Sequence, residues 1–178
     1  GEGEVTPGAS TLENHGDLKR IGNNSPRYRV GLNLDAAWKG IDFSIFFQGV
    51  LKRDWMFDAG DPYFWGAGSG MWQAACFEEH MDYWTPENTD AYYPKPYFNE
   101  TKNQQAQDAY MQKASYLRCK NIQLGYTLPT HITEKAGISN CRIYLSCDNL
   151  FTITGLSSVY DPEVFGSYDG YGTSGKTY

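Results

Sequence analysis

The chain has 178 residues, with 21 acidic against 15 basic side chains and a formal net charge of −6. This acidic balance argues against a nucleic-acid-binding protein, which would normally carry a basic stripe. No apolar run approaches the roughly 20 residues of a transmembrane helix. The first residues, Gly1–Glu4, show neither the positive nor the apolar region of a signal peptide, and there is no initiator Met. We therefore expect a segment of a longer protein.

Aromatic side chains are unusually frequent, with 14 Tyr, 9 Phe and 5 Trp in a chain of mean hydropathy −0.57. They favour strands over helices and also suit surfaces that hold sugars or lie at a membrane interface. The four cysteines lack C-x-x-C spacing, so a zinc site is not expected and most should be free thiols. These cysteines are Cys76, Cys119, Cys141 and Cys147.

The first regular structure predicted is a β-hairpin. Residues 1–26 are rich in Gly, Asn, Ser and Pro and lack periodicity, which predicts a loop. Alternating apolar and polar side chains then predict strands at about 27–39 and 41–53. A tight turn at Lys39–Gly40 joins them, since Gly readily adopts positive φ. Strands of about 12 residues are long for a soluble sheet but suit a tilted membrane strand.

Two further strands follow a long segment without alternation. Residues 53–112 are predicted to form this long loop, because they carry four of the five Trp, four of the eight Pro and no sustained period. Strands are predicted at about 115–128 and 141–154, and a second long loop at 155–178. Irregular alternation at Arg118 and Lys120 indicates either a β-bulge or a stretch outside the apolar zone. Asn149 also interrupts an apolar face, without an evident reason.

Long and short connections alternate strictly, which is typical of outer-membrane barrels. Trp38 and Tyr126 lie beside the two short turns, where an aromatic girdle would be. The polar parity would then face the lumen. Its members are Arg29, Asn33, Asp35, Gln48, Asn121, Gln123, Arg142 and Asp148. Because about eight strands are needed to close the smallest bacterial barrels, we expect an open, curved, all-β antiparallel sheet with an uncovered apolar face. The alternative is a soluble β-sandwich, in which a second sheet covers that face.

Six short motifs follow one another along the chain. They are Gly16–Asn23 with Pro26–Tyr28, Lys39–Ser44 with Phe46–Gly49, Asp82–Asn88 with Ala91–Pro94, Ala114–Arg118 with Lys120–Asn121 and Leu124–Pro129, Arg142–Tyr144 with Asp148–Thr152, and Asp161–Glu163. Each alone is weak, but together and in this order they resemble the SusC/RagA family of TonB-dependent outer-membrane transporters. The resemblance extends over nearly the whole chain.

The resemblance implies the C-terminal part of a 22-stranded transmembrane β-barrel in the bacterial outer membrane. Such proteins import oligosaccharides or peptides together with a SusD-like surface lipoprotein that forms a lid, and they draw energy through TonB. The plug domain, the TonB box and the final strand of the family are absent from the chain, so we do not expect it to transport anything alone. Residues 1–15 lack the Asp-rich run of many relatives, so no metal is expected there.

The candidate contact residues are aromatic side chains of the long loop. We expect them to contact ligand or the lid lipoprotein, because rings stack on sugars and lose little entropy on binding. The set is Trp55, Tyr63, Trp65, Trp72, Trp84, Tyr92 and Tyr93. The alternative is that these rings pack a small core of the loop itself.

No catalytic residue, cofactor site or metal site is predicted. The acidic stretch Glu78–Asp82 is expected to be solvated, because the chain has neither an H-E-x-x-H nor a G-x-S-x-G motif. The principal hypothesis is therefore a transporter segment and not an enzyme. The second hypothesis is a soluble carbohydrate-binding β-domain with aromatic loops.

Overall fold

One antiparallel sheet dominates the computed structural model, which describes residues 8–9, 11, 13–69, 76–97 and 102–164. Its strands are β1 (Arg27–Trp38), β2 (Ile41–Lys52), β3 (Asp54–Trp55), β4 (Gln112–Thr127) and β5 (Arg142–Gly155). β1 pairs with β2, β2 with β4, and β4 with β5. The sheet is open and curled, as the sequence predicted. Four strands were expected; the fifth, β3, has two residues and pairs with the start of β4, beyond the end of β2.

The β1–β2 turn consists of Lys39 and Gly40 alone, because Trp38 already pairs with Ile41. Both turn residues have positive φ, 48° and 86°, which matches the right-handed twist of the flanking strands. A Cβ atom on Gly40 would lie 2.8 Å from the carbonyl oxygen of Thr127. Glycine is therefore required by its conformation and by the close approach of β4.

The β4–β5 connection contains α1 (Thr130–Thr133), followed by a 3₁₀ turn at Glu134–Ala136. Gly137, with φ of 69°, ends it in the left-handed conformation. Further 3₁₀ turns lie at Gly66–Ser69, Glu78–Met81, Lys102–Gln104 and Asp108–Tyr110. Within the described residues, no helix has the length and apolar character needed to cross a membrane.

A β-bulge at Lys120 explains the irregular alternation of β4. Asn121 pairs with Phe46 whereas Cys119 pairs with Phe47, so Lys120 is an extra residue relative to β2. The register to β5 also shifts between Cys119 and Asn121. Asn149 lies opposite this shift with φ of 51°, a conformation that Asn tolerates better than most residues. The bulge, one of the two predicted explanations, is thus correct, and it accounts for Asn149.

The apolar face of the sheet is uncovered in the part of the chain that the structure describes. Leu34 on β1 is 49% exposed and Leu145 on β5 is 75% exposed. The side chains that share this face include Leu32, Leu34, Trp38, Ile41, Leu124, Tyr126, Ile143, Leu145 and Ile153, and all are exposed. No second sheet packs on them among the described residues, which argues against the sandwich.

The hydrophobic core lies at one end of the sheet, in the segment between β2 and β4. Its buried members are Met56, Phe57, Phe64, Trp65, Tyr93, Tyr110, Ala114 and Leu156. Six of these eight belong to the connecting segment, and only Ala114 lies in a strand. We call the described part of this segment, residues 53–69, 76–97 and 102–111, the loop layer. It is a packed structure at the end of the sheet opposite the two short turns.

Candidate functional site

The register places all eight predicted lumen-facing residues on one face of the sheet. Asn33 and Asp35 share a face on β1, and the Asn33 side-chain amide donates a hydrogen bond to the Asp35 carboxylate. The amide of Asn121 on β4 likewise donates to Asp148 on β5, at 2.7 Å. Arg29, Gln48, Gln123 and Arg142 occupy the same face by their pairings. That this polar face lines a lumen stays a prediction.

One ion pair of the polar face crosses an intervening strand. Arg142 on β5 donates through Nε to Asp42 on β2 at 3.0 Å, and its Nη2 donates to Gln123 on β4 at 3.2 Å. The two strands are not neighbours, because β4 lies between them. Gly125 of β4 makes the contact possible, since a Cβ atom there would lie 2.5 Å from the Asp42 carboxylate. The pair therefore depends on glycine at this position.

A second charged network lies near the other end of the polar face and escaped the sequence analysis. The bulge turns Arg118 towards this face, opposite Gln48 and Thr152. Arg118 Nη1 donates to Glu163 at 2.6 Å and Nη2 donates to Asp161 at 2.6 Å. The Arg118 side chain is only 11% exposed. The sequence analysis noted the irregular alternation around residues 118–120 and the motif Asp161–Glu163, but it did not predict that the two segments meet.

Three of the predicted contact rings lie in or against the core of the loop layer. Trp65 is 5% exposed and Tyr93 is 6% exposed, and both surround Phe64, which is fully buried. Trp55 on β3 is half-buried and packs against the same cluster. For these three rings the structure favours the alternative stated from the sequence, in which aromatic residues pack the loop itself.

Three other predicted rings reach the surface of the loop layer. Tyr63 is 52% exposed, Trp84 is 40% exposed and Tyr92 is 38% exposed. Phe77, Met81 and Tyr97 are also exposed there. Trp72 lies outside the described residues. A role of these rings in binding stays a prediction, but their exposure is the minimum that such a role requires.

Asp82 and Asn88 fasten the turn that presents Trp84. The Asp82 carboxylate accepts hydrogen bonds from the backbone N–H of Tyr92 and the side-chain amide of Asn88, both at 3.1 Å. Thr85 and Asn88 exchange two backbone hydrogen bonds across the turn. The Trp84 backbone N–H donates to Tyr93 at 2.9 Å. The Asp82–Asn88 motif thus positions a surface ring by tying its backbone to the buried Tyr93.

Two phenols, the buried Tyr93 and the half-buried Tyr160, carry hydrogen bonds between parts of the site. Burial, with the nearby negative charge of Glu79, raises the pKa of Tyr93. Burial, with the hydrogen bond to the Asp61 carboxylate, also raises the pKa of Tyr160. Tyr160 donates its hydroxyl proton to Asp61 at 2.5 Å. Both phenols therefore stay neutral donors across the physiological pH range.

The acidic stretch around Glu78 is partly structural and not simply solvated as expected. The Glu79 carboxylate accepts a hydrogen bond from the Ser157 hydroxyl at 2.6 Å. His80 Nδ1 accepts from the backbone N–H of Phe77 at 2.9 Å, and its Nε2 lies 3.0 Å from the carbonyl oxygen of Phe64. No cluster of three or more metal-ligating side chains occurs in the described part of the chain. The four cysteines are free thiols.

Comparison with known proteins finds similarity to TonB-dependent receptors. No family model matches the chain. Two relatives from Formosa agariphila, named TonB-dependent receptor P3 and TonB-dependent receptor P26, are 31% and 26% identical over 147 residues, or 83% of this chain. The chain spans only 14% of the length of either relative.

Solved structures of a RagAB peptide transporter are similar in fold. The first superposes with a TM-score of 0.58 and 26% identity, over 79% of this chain and 15% of that chain. The "closed-closed" state of the RagAB peptide importer has a TM-score of 0.58 and 27% identity, over 91% of this chain and 18% of that chain.

An open antiparallel sheet with one uncovered apolar face and one ion-paired polar face is a wall segment of a β-barrel, the fold of the RagAB structures to which the chain is similar. The relatives identify the family within this fold class. The chain is a C-terminal segment of a TonB-dependent receptor of the SusC/RagA type. The relatives' names describe receptors and transporters and not enzymes.

Proposed function

We propose that this chain is part of an outer-membrane, TonB-dependent active transporter that imports oligosaccharides or peptides. The two faces of the sheet carry this proposal. Side chains such as Leu34 and Leu145 would contact lipid, and the opposite face, with pairs such as Asp42 and Arg142, would face water. The two faces could not exchange their environments, because charged side chains that contact lipid destabilise a barrel.

The loop layer provides the contact surface in this proposal. It lies at the end of the sheet away from the short turns, which corresponds to the extracellular side of an outer-membrane barrel. Tyr63, Trp84 and Tyr92 would contact substrate or a SusD-like lipoprotein that covers the barrel. The RagAB structures, of a peptide transporter and importer, support a partner of this kind. TonB would act through a part of the receptor outside this chain.

The substrate class separates into two alternatives that one assay distinguishes. Exposed rings suit stacking on sugar faces, which favours oligosaccharides. The similar solved structures are of a peptide transporter and importer, which favours a peptide substrate. Uptake of labelled oligosaccharides and labelled peptides should be compared in cells that carry the full-length receptor or lack it. The class whose uptake disappears with the receptor and with TonB is the substrate. Uptake of both classes that is independent of the receptor would contradict the proposal.

The role of the loop surface can be tested by single substitutions. Trp84→Ala and Tyr63→Ala remove exposed rings, so we expect a higher KM of uptake with an unchanged amount of receptor in the outer membrane. Tyr126→Ala is the matched control, because this ring is 43% exposed but lies on β4 beside a short turn. An equal KM in all three variants would contradict a contact role for these rings.

The soluble carbohydrate-binding β-domain is the less favoured function. A soluble domain would bury an apolar face as long as that of β1 and β5, and no described part of the chain covers it. Fractionation of cells tests the choice directly. We expect the protein that carries this chain to sediment with the outer membrane and to require detergent for extraction. Recovery in the soluble fraction without detergent would support the soluble domain.

A further inference from the structure

The segment after β5 folds back onto the polar face and joins three parts of the molecule. We call residues 156–164 the clasp. Its start is fixed to β4, because the Ser157 backbone N–H donates to Gln112 Oε1 at 2.9 Å. Leu156 is buried in the core of the loop layer. Sequence analysis predicted a loop here and did not predict its contacts with the rest of the chain.

The clasp is bound to the sheet by four charged side chains, two cations of β4 and two carboxylates of the clasp. Arg118 donates to Asp161 and Glu163 at 2.6 Å, and Lys120 Nζ lies 3.0 Å from both carboxylate oxygens of Glu163. Arg118 Nε donates to Thr152 Oγ1 at 2.8 Å, which orients the guanidinium from the side of β5. Two cations thus face two carboxylates, with most of the Arg118 side chain withdrawn from water. Such a partly buried pair is costly to break from one side only.

The bulge in β4 makes this attachment possible. In a regular strand without the bulge, Arg118 would share the apolar face with Ile122, because the two are four residues apart. With the bulge, Arg118 lies opposite Gln48 on the polar face, and Lys120 reaches the same Glu163. The local irregularity of the strand therefore brings both cations within reach of the clasp.

The clasp holds the loop layer in turn. The Tyr160 hydroxyl donates to the Asp61 carboxylate at 2.5 Å, and the Tyr160 ring stacks on Phe57 with centroids 4.3 Å apart. The same Asp61 oxygen accepts the backbone N–H groups of Tyr63 and Phe64, at 3.0 and 2.8 Å. Asp61 thus places the exposed Tyr63 beside the buried Phe64. An unbroken series of contacts runs from Arg118 through the clasp to a ring of the candidate contact surface.

We infer that Arg118 and Lys120 are positioning residues that hold the contact surface of the loop layer in place through the clasp. This inference rests on the proposed function only for its consequence in uptake. That the sheet holds the clasp, and the clasp holds the loop layer, follows from the contacts alone. Loss of the ion pairs between these two residues and the clasp should leave the sheet intact and increase the mobility of Tyr63 and its neighbours.

The test uses the full-length receptor in outer-membrane vesicles and the rate of chymotrypsin cleavage after exposed rings such as Tyr63. Arg118→Gln should speed cleavage in the loop layer by about tenfold, because it removes charged hydrogen bonds to the clasp. Arg142→Gln is the matched control, since Arg142 pairs with Asp42 and Gln123 inside the sheet. Arg118→Lys keeps one charge and should recover a rate within about threefold of wild type.

A second pair of variants protects the test against misfolding of the strand. Glu163→Gln acts from the clasp side and should also speed cleavage by about tenfold. Asp148→Asn, a carboxylate bonded within the sheet to Asn121, should leave the rate unchanged. Equal cleavage in Arg118→Gln, Glu163→Gln and their controls would overturn the inference.

Uptake supplies the functional half of the test. A loosened loop layer in Arg118→Gln and Glu163→Gln should raise the KM of uptake by about twofold or more at an unchanged maximal rate. The reason is that a smaller fraction of the receptors presents an ordered contact surface. Faster cleavage with an unchanged KM would overturn the link between the clasp and the contact surface. Absence of uptake by the wild-type receptor would refute the proposed function, and the cleavage rates would still decide the role of the clasp.

Discussion

The exposed apolar face makes a quantitative prediction for Leu34→Arg. Leu34 lies four residues before Trp38, the aromatic residue beside the β1–β2 turn. Four residues of an antiparallel strand extend about 14 Å. With a tilt of about 40° this is about 10 Å of height, close to the middle of an apolar band about 25 Å tall. An Arg at that depth should destabilise the folded barrel by about 2–4 kcal/mol.

Asn33→Arg is the matched control, because its side chain lies one residue away on the polar face, next to Asp35. We expect a change within about 0.5 kcal/mol for this variant, as for ordinary surface substitutions. Ile41→Arg, on the apolar face beside the turn, should cost only about 0–1 kcal/mol. The measurement is the free energy of unfolding of the full-length receptor from phospholipid vesicles, by denaturant titration.

Three outcomes of this series have distinct meanings. A large cost at Leu34 that falls towards Ile41 indicates lipid, because the penalty for Arg depends on depth in the bilayer. Equal large costs at both positions would indicate contact with another protein surface and refute the lipid-facing assignment. A cost at Leu34 no larger than that at Asn33 would mean that the apolar face contacts water, which would refute the reasoning altogether.

The remaining predictions concern packing and pH. Gly49→Ala should lower the melting temperature, since its Cβ would overlap the carbonyl oxygen of Tyr116 on β4, whereas Gly31→Ala should not, since its nearest neighbour is 3.6 Å away. Phe64→Ala should destabilise the loop layer by about 3–5 kcal/mol, measurable as hydrogen exchange of its amides. Burial of Asp161 favours its neutral form, but hydrogen bonds from Arg118 and the backbone outweigh this and lower the pKa of Asp161 below 3.8. The clasp should therefore be fully held above about pH 4 and loosen as the pH falls through that lowered pKa, as faster amide exchange, corrected for intrinsic rates, would show.

Period-2 alternation made the long strands predictable, because one face of each is apolar and the other mostly polar. The shortest pairing was not predictable. β3 has two residues, and two residues cannot display a period. Its presence also explains why β4 begins at Gln112, three residues before the predicted start, since Gln112 and Lys113 pair with β3.

The charged network around Arg118 shows where sequence reasoning stops. The disturbed alternation was visible, but its cause was not, because a bulge is defined by the register of the neighbouring strands. The partners of Arg118 lie 43 and 45 residues further along the chain, in a segment without any periodic pattern. Attraction between such distant charges leaves no local trace in the sequence.

The aromatic loop shows a different limit. Tyr63 and Trp65 are only two residues apart, yet the first is 52% exposed and the second is 5% exposed. Both carry large rings, so residue type alone cannot separate a contact residue from a core residue. The separation depends on Asp61, which accepts the backbone N–H groups of Tyr63 and Phe64 and so sets the direction of the turn. A pattern of aromatic residues therefore predicts that a loop is packed, and only its backbone contacts show which rings remain outside.

The two charged groups of the polar face differ in what they stabilise. Arg142 and Asp42 are each 36% exposed, and both lie within the sheet, so their pair is screened by water and adds little stability beyond fixing the register across β4. Arg118 is far less exposed and bonds to carboxylates outside the sheet. Loss of one partner there would leave a partly buried charge uncompensated, which is the costly case. A single substitution should therefore act strongly on the loop layer through Arg118 and weakly through Arg142, although both residues are ion-paired arginines of one sheet.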